Sequence, residues 1–172
     1  MRHRLIQALT ILIAATCATP SVAQVELLAA GVVCPDGRSG PMRDAPDTLV
    51  GGVREIPGLS IDVETRAIPM IPCLGLGIET RWAGETARTL RMATLHPPMG
   101  TDGVTRQVYS KVMEPGAVST RAYTFEFAYE MVPGAWTLQV EDATGILLSV
   151  DFVVTDTPNA AVTQACGLFL NS

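Results

Sequence analysis

Apolar and polar residues alternate in short runs along this chain, and Gly, Pro, Asp and Asn separate the runs at regular intervals. Alternation with a period of two is typical of strands that bury one face, and frequent turn residues are typical of antiparallel sandwiches and barrels. Helical spacing of apolar residues is hard to find. The pattern predicts an all-β fold, an immunoglobulin-like or fibronectin-like antiparallel β-sandwich.

The individual runs predict a series of strands and one long loop. Val25–Val33 is the first predicted strand, and residues 34–52, rich in Pro, Gly and Asp, form an irregular loop. Residues 157–172 form a C-terminal tail without a clear pattern. The strands predicted between loop and hairpin are residues 58–67, 75–82, 87–95, 104–112 and 121–129.

A hairpin is the clearest predicted element. Its outgoing arm alternates apolar residues from Trp136 onwards, residues 142–145 make the turn, and the return arm groups apolar residues from Ile146 to Val154 on one face. One apolar face of the hairpin therefore packs on a second sheet. The predicted core consists of Trp136, Leu138, Val140, Leu148, Val150 and Phe152.

The Pro133-Gly134 pair precedes this hairpin. Proline presets φ and glycine tolerates a positive φ, so the pair suits the two central positions of a type II turn. Trp136 then enters the core, where an indole ring buries roughly 150–250 Å². We interpret this cluster as structural.

The N-terminus has the pattern of a cleaved signal peptide. Basic residues at positions 2 and 4 precede the uncharged run 5–18, and the small residues Ser21 and Ala23 precede a cleavage site before Gln24. The run is shorter than the roughly 20 residues that span a bilayer. We expect a signal peptide at 1–23, a β-sandwich domain at 24–156, the tail at 157–172, and a periplasmic or secreted protein.

The charge balance bears on possible partners. Without Arg2 and Arg4, 10 basic residues face 17 acidic residues, a formal charge of −7. Nucleic acids and anionic membranes attract clustered Lys and Arg. We therefore expect neither a nucleic-acid partner nor stable membrane insertion; an unknown protein or small ligand of the cell envelope is the expected partner.

Part of the sequence resembles a known bacterial family. The stretch from Tyr123 to Trp136, which contains Glu130-x-Val132-Pro133-Gly134-x-Trp136, resembles the C-terminal half of domain-of-unknown-function family 3859. The segments 68–69, 75–78 and 96–99 are also similar to it. The resemblance implies an exported β-sandwich-like domain with no assigned activity, and it supplies no catalytic residues.

Three cysteines remain after cleavage, and export allows them to oxidise. In immunoglobulin-like sandwiches a first-strand segment often pairs with the last strand, which would bring residues just beyond both strands together. This arrangement favours a Cys34–Cys166 disulfide. Cys34–Cys73 is the alternative.

His96 is the only histidine after cleavage, so Ser/His/Asp or Cys/His catalysis would depend on it. No Gly-x-Ser-x-Gly motif supplies a nucleophile. His96 and Met99 are weak candidates for copper ligands, because imidazole and thioether suit copper(I). The dispersed cysteines do not suggest zinc.

These observations lead to a non-catalytic binding or interaction module, with no catalytic residue and no cofactor assigned. The alternatives are a periplasmic copper-binding carrier that uses His96 and nearby methionines, and an enzyme of unknown class. Loops at the ends of the sandwich are the expected contact surface.

Overall fold

Two β-sheets stack face to face in the computed structural model, which describes residues 24–168. The predicted leader, residues 1–23, lies outside the described residues. In chain order the elements are β1 (Val25–Val33), β2 (Met42–Asp44), β3 (Gly52–Arg54), β4 (Val63–Glu64), β5 (Ala67–Pro69), β6 (Gly75–Trp82), β7 (Arg88–Met99), β8 (Val104–Met113), β9 (Val118–Thr124), a 3₁₀ turn (Ala128–Glu130), β10 (Gly134–Asp142), β11 (Gly145–Thr155) and α1 (Ala160–Ala165).

The strands are divided between a four-stranded sheet, in the order β4-β1-β6-β9, and a five-stranded sheet, in the order β5-β11-β10-β7-β8. Neighbouring strands run antiparallel, except that β5 runs parallel to β11. A shared apolar core lies between the sheets. The fold is therefore the immunoglobulin-like β-sandwich that the alternating pattern predicted.

The β10–β11 hairpin contributes the largest residues of one core layer. Trp136 pairs with Phe152 and Leu138 pairs with Val150, and all four side chains are buried. Each such side chain contributes roughly 1.5–3 kcal/mol by leaving water. Leu148, opposite Val140, is half-buried and packs against the edge of the core.

The return arm departs from the predicted pattern at its first residue. The alternation placed Ile146 on the core face, but Ile146 is 60% exposed. The register shifts by one residue between Val140 and Glu141, so that Glu141 faces Ile146. A bulge of this kind reverses the face on which the following side chains lie.

The type II turn predicted at Pro133-Gly134 is wrong. Gly134 has φ +134°, whereas position i+2 of that turn needs about +80°. Gly134 is instead the first residue of β10 and pairs with Val154. A Cβ added there would lie 3.0 Å from Cγ of Pro97, so glycine is required by both its φ and its close approach to β7.

Two of the predicted strands have limits in the structure that differ from the prediction. The run 58–67 is divided: β4 pairs with β1 in one sheet, and β5 pairs with β11 in the other. The run 121–129 ends at Thr124, where β9 stops. The Glu130 carboxylate accepts the backbone N–H groups of Glu126 and Phe127 and holds a 3₁₀ turn in place of a strand.

The segment predicted as an irregular loop, 34–52, contains regular structure. Met42–Asp44 and Gly52–Arg54 pair as a short antiparallel ladder. Isolated two-stranded ladders gain little stability by themselves, so this one depends on what it covers.

The tail contains helix α1, whose Asn159 side chain accepts hydrogen bonds from the backbone of Ala161 and Val162. Val162 is fully buried in the core. The predicted disulfide between Cys34 and Cys166 is confirmed. The reason given for it was wrong, because β1 and β11 belong to different sheets and α1 brings Cys166 to the end of β1.

Candidate ligand-binding site

A cavity of about 420 Å³ lies where the edge strands β8 and β9 of the two sheets meet. Residues 42–59, which include the β2–β3 ladder, lie over this opening, and we call them the roof segment. We call this cavity the edge cavity. Its wall is formed mainly by strands, and the roof segment covers it. The wall residues are Thr94, Gln107, Tyr109, Lys111, Thr120, Arg121, Ala122, Tyr123, Thr124, Glu126 and Glu130.

Hydrogen bonds to β8 hold the roof segment in place. The backbone N–H of Val108 donates to the carbonyl of Asp47 at 3.0 Å, and the N–H of Leu49 donates to Oε1 of Gln107 at 2.8 Å. The Arg43 guanidinium lies over the Tyr109 ring, 5.7 Å from its centroid. Part of the otherwise exposed backbone of the edge strand β8 therefore forms hydrogen bonds that hold the roof segment in place.

Arg121, on β9, extends through the interior to the opposite sheet. Its Nη2 donates to the carbonyl oxygens of Ala93 at 2.6 Å and Gln139 at 3.2 Å, while its Nε has no hydrogen-bond partner among the described residues. Burial lowers the pKa of Arg121, and Tyr109 and the negative charge of Glu141 oppose that change. A guanidinium stays charged in proteins, so Arg121 is a buried cation held by neutral groups.

Lys111, on β8, is the second cation of the wall. Its Nζ donates to Oγ of Ser119 at 2.6 Å. Burial lowers the pKa of the ammonium group; Glu55 raises it and Arg43 lowers it further. Among residues 24–168, neither Lys111 nor Arg121 forms a salt bridge.

The acidic residues around the cavity already have partners. Glu55 accepts from Nε of Arg43 at 2.9 Å, and Glu126 lies 3.7 Å from Nε of Arg54. Glu130 accepts from two backbone N–H groups and from the Tyr123 hydroxyl at 3.0 Å. Burial raises the pKa of Glu130, and these hydrogen bonds oppose the change. Glu55 and Glu126 are therefore paired with arginines of the roof segment, and among residues 24–168 no carboxylate forms a salt bridge with Lys111 or Arg121.

A chain of hydrogen bonds runs from the cavity wall into the core. The Gln107 amide nitrogen lies 3.1 Å from Nε2 of His96 and 3.2 Å from the Tyr123 hydroxyl. The hydroxyl in turn donates to Glu130. Burial raises the pKa of Tyr123, which keeps the phenol protonated. These contacts fix the orientation of Gln107 and Tyr123 where they line the cavity.

His96 and Met99 lie in the core behind the cavity wall. Nδ1 of His96 lies 2.8 Å from the Pro97 carbonyl, and Nε2 faces the Gln107 amide, so both ring nitrogens have partners. Sδ of Met99 lies 4.0 Å from the same amide nitrogen. The structure thus brings the two proposed copper ligands to one side chain, with Gln107 between them. Within residues 24–168, no group of three or more His, Cys, Asp or Glu side chains is arranged to hold a metal ion.

Sequence reasoning missed Lys111 and Arg121 as site residues. The available signal was the polar face of two predicted strands: Gln107, Tyr109 and Lys111 alternate on one, and Arg121 and Tyr123 alternate on the other. Residues two apart lie on the same face of a strand. The alternation could therefore have grouped them, but not shown that the two faces meet.

Comparisons with known proteins bear on the fold. No protein-family model matches the chain, and no curated protein matches it. An immunoglobulin-like protein of Pseudomonas aeruginosa has a similar structure, with a TM-score of 0.50 and 22% sequence identity over 77% of this chain and 98% of that one. This likeness supports the immunoglobulin-like fold.

Two further solved structures have lower scores. The alkylpurine DNA glycosylase AlkC of Pseudomonas fluorescens has a TM-score of 0.39 and 12% identity, over 77% of this chain and 30% of that one. A β-D-glucoside glucohydrolase of Trichoderma reesei has a TM-score of 0.36 and 15% identity, over 77% and 19%. Similarity at this level carries no argument about function.

Proposed function

We propose that this chain is a non-catalytic binding domain that acts outside the cytoplasm and takes a small ligand into the edge cavity. The observation that carries the proposal is the roofed cavity itself, with Lys111 and the buried Arg121 in its wall and no salt bridge from either among residues 24–168. Clefts of roughly 300–1,000 Å³ with a few oriented polar groups are typical of small-molecule sites.

The surroundings of His96 support a binding function over a catalytic one. A general base needs a free ring nitrogen within reach of its substrate. Both nitrogens of His96 face protein groups, and the wall of the cavity is formed by other residues. Among the charged residues that line the cavity, Lys111 and Arg121 are suited to holding an anion.

Export is supported by the leader pattern in residues 1–23 together with the Cys34–Cys166 disulfide, since such bonds persist in oxidising compartments. No helix within residues 24–168 has the length and apolar character to cross a membrane. The resemblance to domain-of-unknown-function family 3859 stays a prediction. Intact-mass analysis of protein from the periplasm should give a chain that starts at Gln24, and retention of residues 1–23 contradicts the proposal.

Filling the cavity tests the binding function. Val53 lines the roof and Val153 is exposed on β11, outside the cavity, so Val53→Trp and Val153→Trp form a matched pair. A library of neutral, cationic and anionic fragments is screened by NMR against the wild type and both variants. We expect ligands that bind the wild type and Val153→Trp but not Val53→Trp. Failure of every fragment to bind in the cavity would overturn the proposal.

A periplasmic copper carrier is the second candidate, because His96 and Met99 both contact the Gln107 amide. Copper(I) would have to displace that amide to reach both ligands. Titration with copper(I) of wild type and His96→Ala distinguishes the two. Tight binding that the substitution abolishes would favour the carrier, and we expect none.

A further inference from the structure

We infer that the ligand of the edge cavity is an organic carboxylate, held by Lys111 and Arg121 at its anionic end and by the roof segment along an apolar body. The inference rests on the proposed function, because it names the class of ligand for the same site. It follows from charge, hydrogen bonding and the distribution of apolar surface.

The charge of the wall is the first argument. A buried charge is costly unless it is paired, and buried Arg normally finds a carboxylate. Arg121 donates to carbonyl oxygens and has Tyr109 as a further polar neighbour, Lys111 donates to a serine hydroxyl, and neither forms a salt bridge among residues 24–168. A bound anion would supply the salt-bridge partner that Glu55 and Glu126, which pair with Arg43 and Arg54, do not provide to these two cations.

The hydrogen-bonding capacity of the same groups is the second argument. The Arg121 guanidinium uses Nη2 for the two carbonyl groups and leaves Nε without a partner, although Nε is buried. Buried donors are rarely left unsatisfied. Planar guanidinium groups match the two oxygens of a carboxylate, and the three donors of an ammonium group are adaptable.

The apolar roof decides between an organic acid and a free inorganic anion. Val50, Val53, Ile56, Pro57 and Leu59 line the roof. These side chains would make no useful contact with phosphate, whereas an alkyl or aryl body would remove their surface from water at roughly 25 cal/mol per Å².

The carboxylates at the opening also disfavour an anion of high charge. Glu130 lines the same cavity as Lys111 and Arg121 and forms no salt bridge among residues 24–168, and the paired Glu55 and Glu126 line it too. Like charges repel at short range, so each additional negative charge on a ligand costs more than the first. A monocarboxylate with an apolar body is therefore the ligand class that the cavity fits.

The test uses hexanoate, with hexanamide as a neutral match of the same shape and inorganic phosphate as an anion without a body. Lys111 is the only lysine in the chain, so protein labelled with ¹³Cε-lysine gives one lysine side-chain signal that reports directly on the site. We expect hexanoate to shift this signal saturably, and hexanamide and phosphate to bind about tenfold more weakly or not at all.

Variants identify the groups responsible. Lys111→Gln should weaken hexanoate binding about tenfold, since one charge-assisted hydrogen bond is lost. Arg81→Gln removes an exposed arginine, outside the cavity and paired with Glu26, and should leave binding unchanged. Arg121→Gln also removes a contact between the two sheets, so Lys111→Gln is the deciding variant. Hexanoate binding to Lys111→Gln is followed through backbone amide signals.

Four results would overturn the inference. Equal binding of hexanamide would show that the cavity takes neutral ligands, which leaves the proposed function standing. Phosphate binding that equals hexanoate binding would exclude an apolar body. Fragments that occupy the cavity while hexanoate does not bind, or hexanoate binding that Lys111→Gln leaves unchanged, would exclude the carboxylate while the cavity remains a binding site.

Discussion

The side-chain amide nitrogen of Gln107 lies 3.1 Å from Nε2 of His96, and Oε1 of the same side chain accepts the N–H of Leu49. The second contact fixes which end of the amide faces the ring. Nε2 must then accept a hydrogen bond, and Nδ1 donates to Pro97. His96 is therefore neutral in the folded protein, and the connection between the roof segment and the core depends on that state.

The first prediction concerns acid stability. Burial lowers the pKa of His96 below its usual 6.5, so the unfolded chain takes up a proton that the folded chain resists. The contribution of His96 to stability is complete above pH 6.5 and is lost as the pH falls below it, by at most about 1.4 kcal/mol per pH unit.

Chemical denaturation of wild type and His96→Asn between pH 7.5 and 5 measures this effect. The free energy of unfolding of the wild type should fall relative to that of the variant as the solution becomes acidic. A difference between the two proteins that stays constant over this range would show that His96 titrates alike in both states.

The second prediction concerns Glu130. Burial raises the pKa of this carboxyl, so its contribution to stability is complete below its unfolded value of about 4.5 and declines as the pH rises through the folded value. Glu130→Gln loses an acceptor for backbone N–H groups at every pH, but it does not carry the buried charge. The variant should be less stable than the wild type at pH 4, and the gap should narrow toward pH 7. A gap that widens with pH would contradict the assignment.

The third prediction concerns the core. Trp136 is fully buried, contacts the rings of His96, Tyr123 and Phe125, and donates from Nε1 to the Val132 carbonyl at 3.0 Å. Trp136→Ala should lower the free energy of unfolding by roughly 3–5 kcal/mol. Trp136→Phe should cost less because it leaves a smaller cavity. If urea unfolding of Trp136→Ala shows that the free energy of unfolding falls by less than about 1 kcal/mol, Trp136 is not part of the well-packed core.

The fourth prediction concerns the disulfide. Cys34 and Cys166 are 132 residues apart, and closing so long a loop stabilises by roughly 4–5 kcal/mol on the chain-entropy model. The double variant Cys34→Ser/Cys166→Ser should therefore unfold at a much lower denaturant concentration than the wild type. Cys73 is exposed and unbonded, and Cys73→Ser serves as the control. Peptide mapping without reduction that finds Cys73 in a bridge would refute the pairing.

Much of the sandwich could be predicted from local pattern. The limits of β1 and β6 and the existence of the β10–β11 hairpin follow from alternation, because a period of two is a property of consecutive residues. The predictions fail where contacts between residues far apart in the sequence determine the structure. The run 58–67 changes sheets, the bulge beside Glu141 exposes Ile146, and the loop 34–52 pairs only because it lies over the edge strands.

The candidate site shows the same division. The local pattern identifies residues that can carry charge on a strand face, such as Lys111 and Arg121, and it identifies the cysteines that can form a disulfide. It does not show that β8 and β9 are edge strands of different sheets that meet beneath the roof segment. The order of the strands and the way the two sheets meet depend on burial summed over the whole core, whereas alternation records only the burial of each strand.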